Sequence, residues 1–436
     1  MSKILLDFLS NIGILMLRFA SSPTADMNVD DLRVALLNYI VSQQRNEDLI
    51  VRIDDMEKER NIEGKDQEIL DTLALFGIEY SQTVYQSQNV RFHAAMALQL
   101  LHEKKAFNCF CSSEWLEKKR EEAKEAKKAY SYDDACRNLP AELVIDNTAP
   151  FTIRINRPDE EIIIHDKIQG NVSFSPDAVD SFVIMNQDKT PTYNFACAID
   201  DMLSDISLVI RNKEHMSDTP KQEHIRASLQ YEKKVEYAHL PGIDDTPSVK
   251  RLLEEGFLPE AISNYLISIG NKPQKEIFTL HEAIEWFTFD TISNSPTHFD
   301  MDILRHINKE HLRLLDAKEL SRYVGFADVQ IGELARIYLD EADTTKELKL
   351  KIAPIFAPKE IPDALAEHAD RLKVLIKDAP YFDDYDAFTK YLMEESGLRG
   401  KRLFKPLRIL LTGAEHNHDI SELYPYIKNY IGEIVK

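Results

Sequence analysis

Cys109 and Cys111 stand one residue apart, and Tyr132 and Cys136 follow in the next stretch of chain. Two thiolates at that spacing can chelate Zn²⁺, and a nearby cysteine with a phenolate completes a tetrahedron. Three reduced cysteines buried in a core satisfy the same pattern, and both readings stay open here. Cys197 stands apart and reads as a small core residue. A second chemistry-bearing group is acidic. Asn28-Val29-Asp30-Asp31 opens a run in which Leu32, Leu36, Tyr39 and Ile40 recur on one helical face. A helix start offers free N–H groups and a positive dipole end, which attract anions. Two aspartates there satisfy the dipole themselves, by about 0.5–2 kcal/mol, and oppose a polyanionic ligand.

The elements that must position these groups belong to a chain of 436 residues, long enough for two to four domains. Hydrophobic residues at 44% and charged residues at 29%, with only 13 glycines, exclude collagen-like and disordered classes. A formal charge of −21 argues against indiscriminate nucleic-acid binding, although Lys and Arg gathered on one face can still grip one RNA. Four cysteines without a convincing secretory signal favour a reducing cytoplasm. Residues 1–15 are apolar only in patches interrupted by Asp7, too short for a membrane span, and read as an extra helical or loose N-terminal extension.

From Met16 a short apolar run, a Pro-containing loop, a helix and a second strand at Leu49 to Ile53 make a β-α-β unit, followed by a helix near Gly64 to Phe76. Between 107 and 185 the texture changes to a charged helix and short β-like runs, as an insertion would. The α/β order then resumes with a helix at Tyr193 to Leu203, strands at Ile206 to Ile210 and Val235 to His239, and a helix between them. Beyond Ser248 only helices are expected. The expected fold class is an α/β N-terminal Rossmann-like domain (16–106 and 186–247) with an α+β insertion (107–185), followed by an all-α C-terminal region (248–320 and 321–436).

Arg18-Phe19-Ala20-Ser21-Ser22-Pro23-Thr24 resembles the opening of the glutamyl branch of class I aminoacyl-tRNA synthetases. The likeness continues through Arg52-Ile53-Asp54-Asp55, Asp188 to Ala196, Val209-Ile210-Arg211, Tyr237 to Pro241, Glu254 to Ala261 and Gly400 to Arg408. In that family glutamate is activated with ATP and Mg²⁺ and transferred to tRNA. The resemblance implies Arg18 and Arg211 on the substrate carboxylates, Ser22, Asp54 and Tyr193 around the amino-acid pocket, and Glu214 and His215 near the adenosine. It also implies zinc held by Cys109, Cys111, Tyr132 and Cys136, tRNA-Glu and L-glutamate as partners, an acceptor-stem role for 107–185, a stem-contact role for 248–320, anticodon binding by 321–436, a monomer, and no membrane.

The family pattern breaks where it should handle ATP. Asn28 stands at the first histidine of the HIGH signature, Val29 at the isoleucine and Asp30 at the glycine. Glycine there lets nucleotide approach the backbone, whereas a carboxylate adds bulk and like charge. The Lys-Met-Ser-Lys-type loop is missing, and no lysine lies between Tyr237 and Ser248. Arg211-Asn212-Lys213-Glu214-His215, Met56, Glu57, and Asn417-His418 depart more mildly. Three readings follow. The first is an active glutamate-tRNA ligase. The second is a noncatalytic tRNA-binding paralogue of the same fold, gripping RNA through residues such as Lys401, Arg402, Lys405 and Arg408. The third, a shorter relative modifying a tRNA nucleoside, is opposed by the full-length helical region. Concentration of the changes at ATP contacts favours impaired activation.

Overall fold

A computed structural model describes residues 15–128, 130–415 and 418–436. The expected N-terminal extension, apart from Leu15, and the departure at Asn417 lie outside them. The chain forms two compact units, one of residues 1–249 and 266–299, the other of 250–265 and 300–436.

The first unit is built on a seven-stranded sheet. Its strands are β1 (Met16–Ser21), β2 (Asp48–Ile53), β3 (Gln82–Tyr85), β6 (Ile162–Asp166), β7 (Gly170–Phe174), β9 (Ile206–Asn212) and β10 (Glu236–Leu240). The order is β3-β2-β1-β9-β10-β6-β7, parallel throughout except the β6–β7 hairpin. Leu17, Phe19, Val51, Ile53, Leu208 and Ile210 are fully buried, the near-continuous apolar content that a sheet covered on both faces requires. Helix α1 (Val29–Arg45) buries Leu32, Leu36 and Ile40 on the sheet and ends at Asn46, whose left-handed φ of 51° asparagine tolerates. Further helices are α2 (Lys65–Leu75), α3 (Val90–His102), α4 (Ser113–Glu125), α5 (Tyr193–Leu203) and α6 (Thr219–Ser228).

The 107–185 stretch serves two sheets of this unit. β5 (Thr152–Ile155) pairs with β4 (Ala106–Cys109) and β8 (Val183–Met185) in a separate three-stranded sheet, whereas β6 joins the main sheet beside β10. The expectation of helices alone beyond Ser248 needs one correction: β12 (Thr297–His298) pairs with β11 (Ile243–Asp244). Two residues are too short to show a period of two in sequence.

The second unit is helical, running from Met301–Leu314 to Ile431–Ile434. Helices Ala317–Tyr323 and Val329–Ile337 approach closely at Gly332, where an added Cβ would lie 1.6 Å from the Ala317 carbonyl oxygen. Helix Lys401–Thr412 buries Leu403, Leu407, Leu410 and Leu411 and exposes Lys401, Arg402 and Lys405. Among the described residues no helix is long and apolar enough to cross a membrane.

Candidate active site

The strand order reverses between β1 and β9, and the crevice at the carboxyl ends of these parallel strands is where such sheets bind ligands. Arg18, Ser22, Asn28, Asp31, Asp54, Tyr193, Arg211 and His215 line a cavity of about 290 Å³ there. A neighbouring cavity of about 320 Å³ shares Ser22, Asp54 and Tyr193. Two residues expected at the site, Asp30 and Glu214, do not line either space.

The cavity floor is ionic. Arg18 Nε donates to Asp201 Oδ1 at 3.3 Å, and Arg52 donates to the same oxygen at 2.6 Å and to Asp54 at 2.6 Å. Burial pushes the Asp54 carboxyl up, against the opposing pull of Arg52. Asp201 is held below the usual carboxylate range because Arg18 and Arg52 outweigh its burial. Arg211 differs. Its guanidinium donates to His239 Nε2 (3.2 Å), Gln222 Oε1 (3.1 Å) and Thr219 Oγ1 (2.7 Å), all neutral acceptors if His239 is neutral. Among the described residues no carboxylate lies within ion-pair distance of it, and burial lowers its pKa. A buried guanidinium without a counter-ion is costly, and a ligand carboxylate is the natural remedy. In the sequence Arg52, Asp201 and His239 stand only as parts of family-like segments, without a role, and Asp166 is not taken up, although charged residues inside apolar strands are a usable signal.

The helix entrance is acidic and occupied by the chain itself. Asn28 Oδ1 accepts the Asp31 N–H at 2.8 Å, so Asn28 is the cap and α1 begins at Val29. Asp30 turns away from the cavity and accepts the Ile243 N–H at 3.2 Å. The shortened connection after β10 is therefore fastened to the altered signature. Arg33 Nη1 holds the Pro241 carbonyl at 3.3 Å, and the Val249 N–H reaches the Met27 carbonyl at 2.9 Å. His215 lies against Tyr193 with ring centroids 6.0 Å apart and bonds Asp218 at 3.2 Å, while Glu214 is exposed.

Burial, reinforced by Asp30, pushes the Asp31 carboxyl up to about 6 from its ordinary 3.8. Between those values the folded chain holds a proton that the unfolded chain has lost, so stability falls as pH rises through this window and the penalty is constant above it. D31N should raise Tm above pH 6 by a few degrees, with the gain fading towards pH 4 in thermal melts. A gain independent of pH would contradict this origin.

A second cluster lies between β4 and the stretch after α4. The Cys109, Cys111 and Cys136 sulfurs all lie within 4.8 Å of one another. Tyr132 Oη is 3.4 Å from Cys109 Sγ and 3.3 Å from Cys111 Sγ, and Cys111 and Cys136 sulfurs are 3.6 Å apart. Burial raises the Cys109 thiol, but Tyr132, the Cys111 backbone N–H and Arg154, whose Nε is 3.4 Å from the sulfur, together outweigh it and bring it down to about 7.

Residues 15–306 match the family described as "tRNA synthetases class I (E and Q), catalytic domain". The chain belongs to that family, as its parallel sheet and crevice of cations and carboxylates also fit. Among its relatives is the Glutamate--tRNA ligase 2 of Sulfurimonas denitrificans, 65% identical over 432 residues that span 97% of this chain and all of the relative. The Glutamate--tRNA ligase 1 of Nitratiruptor sp. is 52% identical over the same shares. A solved glutamate tRNA ligase from Elizabethkingia meningosepticum, in complex with its amino acid, shares the fold at TM-score 0.78 and 22% identity, covering 97% of this chain and 98% of the other.

Proposed function

We propose that this chain binds L-glutamate and tRNA, tRNA-Glu foremost, as its ligase relatives' names suggest, while forming glutamyl-adenylate from ATP poorly or not at all. The cavity floor suits glutamate. Arg18 and Arg52 share Asp201, and Arg52 also pairs with Asp54, whereas Arg211 reaches the cavity with only neutral partners and so is the cation left for a ligand carboxylate. Arg18 and Arg211 would take its two carboxylates, with Asp54 and Tyr193 beside the ammonium.

The observation that carries the impairment is the Asp30 bond to the Ile243 N–H. It fastens the short connection that replaces a lysine-bearing loop to the helix entrance, where the neighbouring Asp31 lines the cavity. The residues present therefore do not fit a triphosphate. Loss of one transition-state electrostatic contact typically costs about 10²- to 10³-fold in rate. Glutamate-dependent ATP–pyrophosphate exchange, with tRNA present, should fall at least that far below an intact ligase, while calorimetry detects glutamate and gel shift detects salt-sensitive tRNA binding. Brisk exchange would sink the reading. A noncatalytic tRNA-binding role is the form this reading takes if exchange is nil, and the exposed Lys401, Arg402 and Lys405 support it.

Zinc belongs to the same reading. Tetrahedral bonds of about 2.3 Å to sulfur and 2.0 Å to oxygen separate ligand atoms by about 3.8 and 3.5 Å, close to the distances found among Cys111, Cys136 and Tyr132. Cys109, Cys111, Cys136 and Tyr132 would hold it in a structural role. Elemental analysis should find one zinc per chain, lost in C111S with a lower Tm. Full-length protein without zinc after growth and purification in zinc-containing, chelator-free medium would refute the site.

A further inference from the structure

Behind Arg211 lies a buried chain of side chains that lines neither cavity. His239 is the β10 partner of Arg211 in the parallel register of β9 and β10. Its Nε2 lies 3.2 Å from Arg211 Nε and 2.9 Å from Thr219 Oγ1, and its Nδ1 lies 2.6 Å from Asp166 Oδ2. His239 is 0% exposed and Asp166 6%.

The donors fix the proton. Arg211 Nε can only donate, so His239 Nε2 must present its lone pair, and the single ring proton sits on Nδ1 and is donated to Asp166. Asp166 also accepts the N–H groups of Ile168 (2.9 Å), Gln169 (2.8 Å) and His239 (3.0 Å), which suits an ionised carboxylate on a rigid strand end. Protonating His239 would set an Nε2–H against the Arg211 Nε–H. The charged groups facing the ring are Asp166 from β6, Arg211 from β9 and His215 from the turn after β9, with the Tyr237 ring stacked at 6.0 Å.

We propose that Asp166 and His239 are positioning residues for glutamate: Asp166 fixes the His239 tautomer, and His239 Nε2 aims the Arg211 guanidinium into the cavity. This rests on the reading that Arg211 takes a substrate carboxylate. A neutral acceptor orients the guanidinium without cancelling its charge, whereas a carboxylate in its place would compete with the ligand.

Two substitutions separate the two ends of the ring. In H239Q the amide reaches the Nε2 position and can still accept from Arg211, while in H239N it reaches only the Nδ1 position and can still donate to Asp166. Calorimetry of L-glutamate with the full chain should show H239Q within about threefold of the native affinity and H239N at least tenfold weaker. Thermal melts of both variants accompany the titrations. Equal losses in the two, or losses that follow Tm, overturn the proposal. Nitrogen-15 spectra of histidine-labelled protein should show His239 protonated on Nδ1 alone; a proton on Nε2 at neutral pH overturns it regardless of glutamate. If R211Q binds glutamate like the native chain, the reading of Arg211 fails and the positioning role falls with it. If R211Q loses binding while the His239 variants behave alike, only the positioning role fails.

Discussion

R211Q should bind L-glutamate at least about 10²-fold more weakly than the native chain, because removing one partner of a buried charge pair costs about 2–5 kcal/mol. Its folding stability should not fall. The native guanidinium is buried against His239, Gln222 and Thr219 without a carboxylate counter-ion among the described residues, so the substitution removes an uncompensated charge as well as three hydrogen bonds. Loss of ligand affinity without loss of Tm is the signature of a group held for a ligand and not for the fold. Calorimetry and thermal melts on one preparation measure both. A fall in Tm of several degrees with unchanged affinity would assign Arg211 to the core instead.

Removing the carboxylates at the helix entrance should have the opposite effect on a different ligand. In D30G/D31N two negative charges leave the start of α1; Asp31 lines the cavity, and a like charge at about 6 Å from a phosphate, at an effective dielectric near 20, opposes it by about 1–3 kcal/mol, with Asp30 behind it adding less. The double variant should therefore bind Mg²⁺-ATP at least about tenfold more tightly than the native chain. Exchange of pyrophosphate should stay low, because no lysine lies between Tyr237 and Ser248 to meet the developing charge. Losing the Asp30 bond to Ile243 should also cost about 1–2 kcal/mol of stability. Unchanged nucleotide affinity in the variant would show that the aspartates do not guard the site.

These expectations tie the two departures from the family pattern together. In sequence they are separate: a changed four-residue signature and a shortened connection. In the fold Asp30 accepts from Ile243 and Met27 accepts from Val249, so the altered helix start and the short connection support each other. Satisfying the helix entrance from within pairs N–H groups and a dipole end that are otherwise left to water, which is consistent with the proposed weakness in nucleotide activation.

The sequence by itself determined the class of fold and the family, because hydrophobic period and ordered motifs are local properties that survive without coordinates. It marked β1, β2, β9, β10, α1 and α5 to within a few residues, and it named Arg18, Ser22, Asp54, Tyr193 and Arg211, which line one cavity. Only the tertiary structure decided partners. That Asp166, from a stretch read as an insertion, stands behind Arg211 through His239 depends on β6 joining the main sheet beside β10. That Asp30 faces Ile243 instead of the cavity depends on where the chain returns after β10. Hydrogen bonds and ion pairs fall off within a few ångströms, and sequence spacing does not measure the through-space separation of residues on different strands.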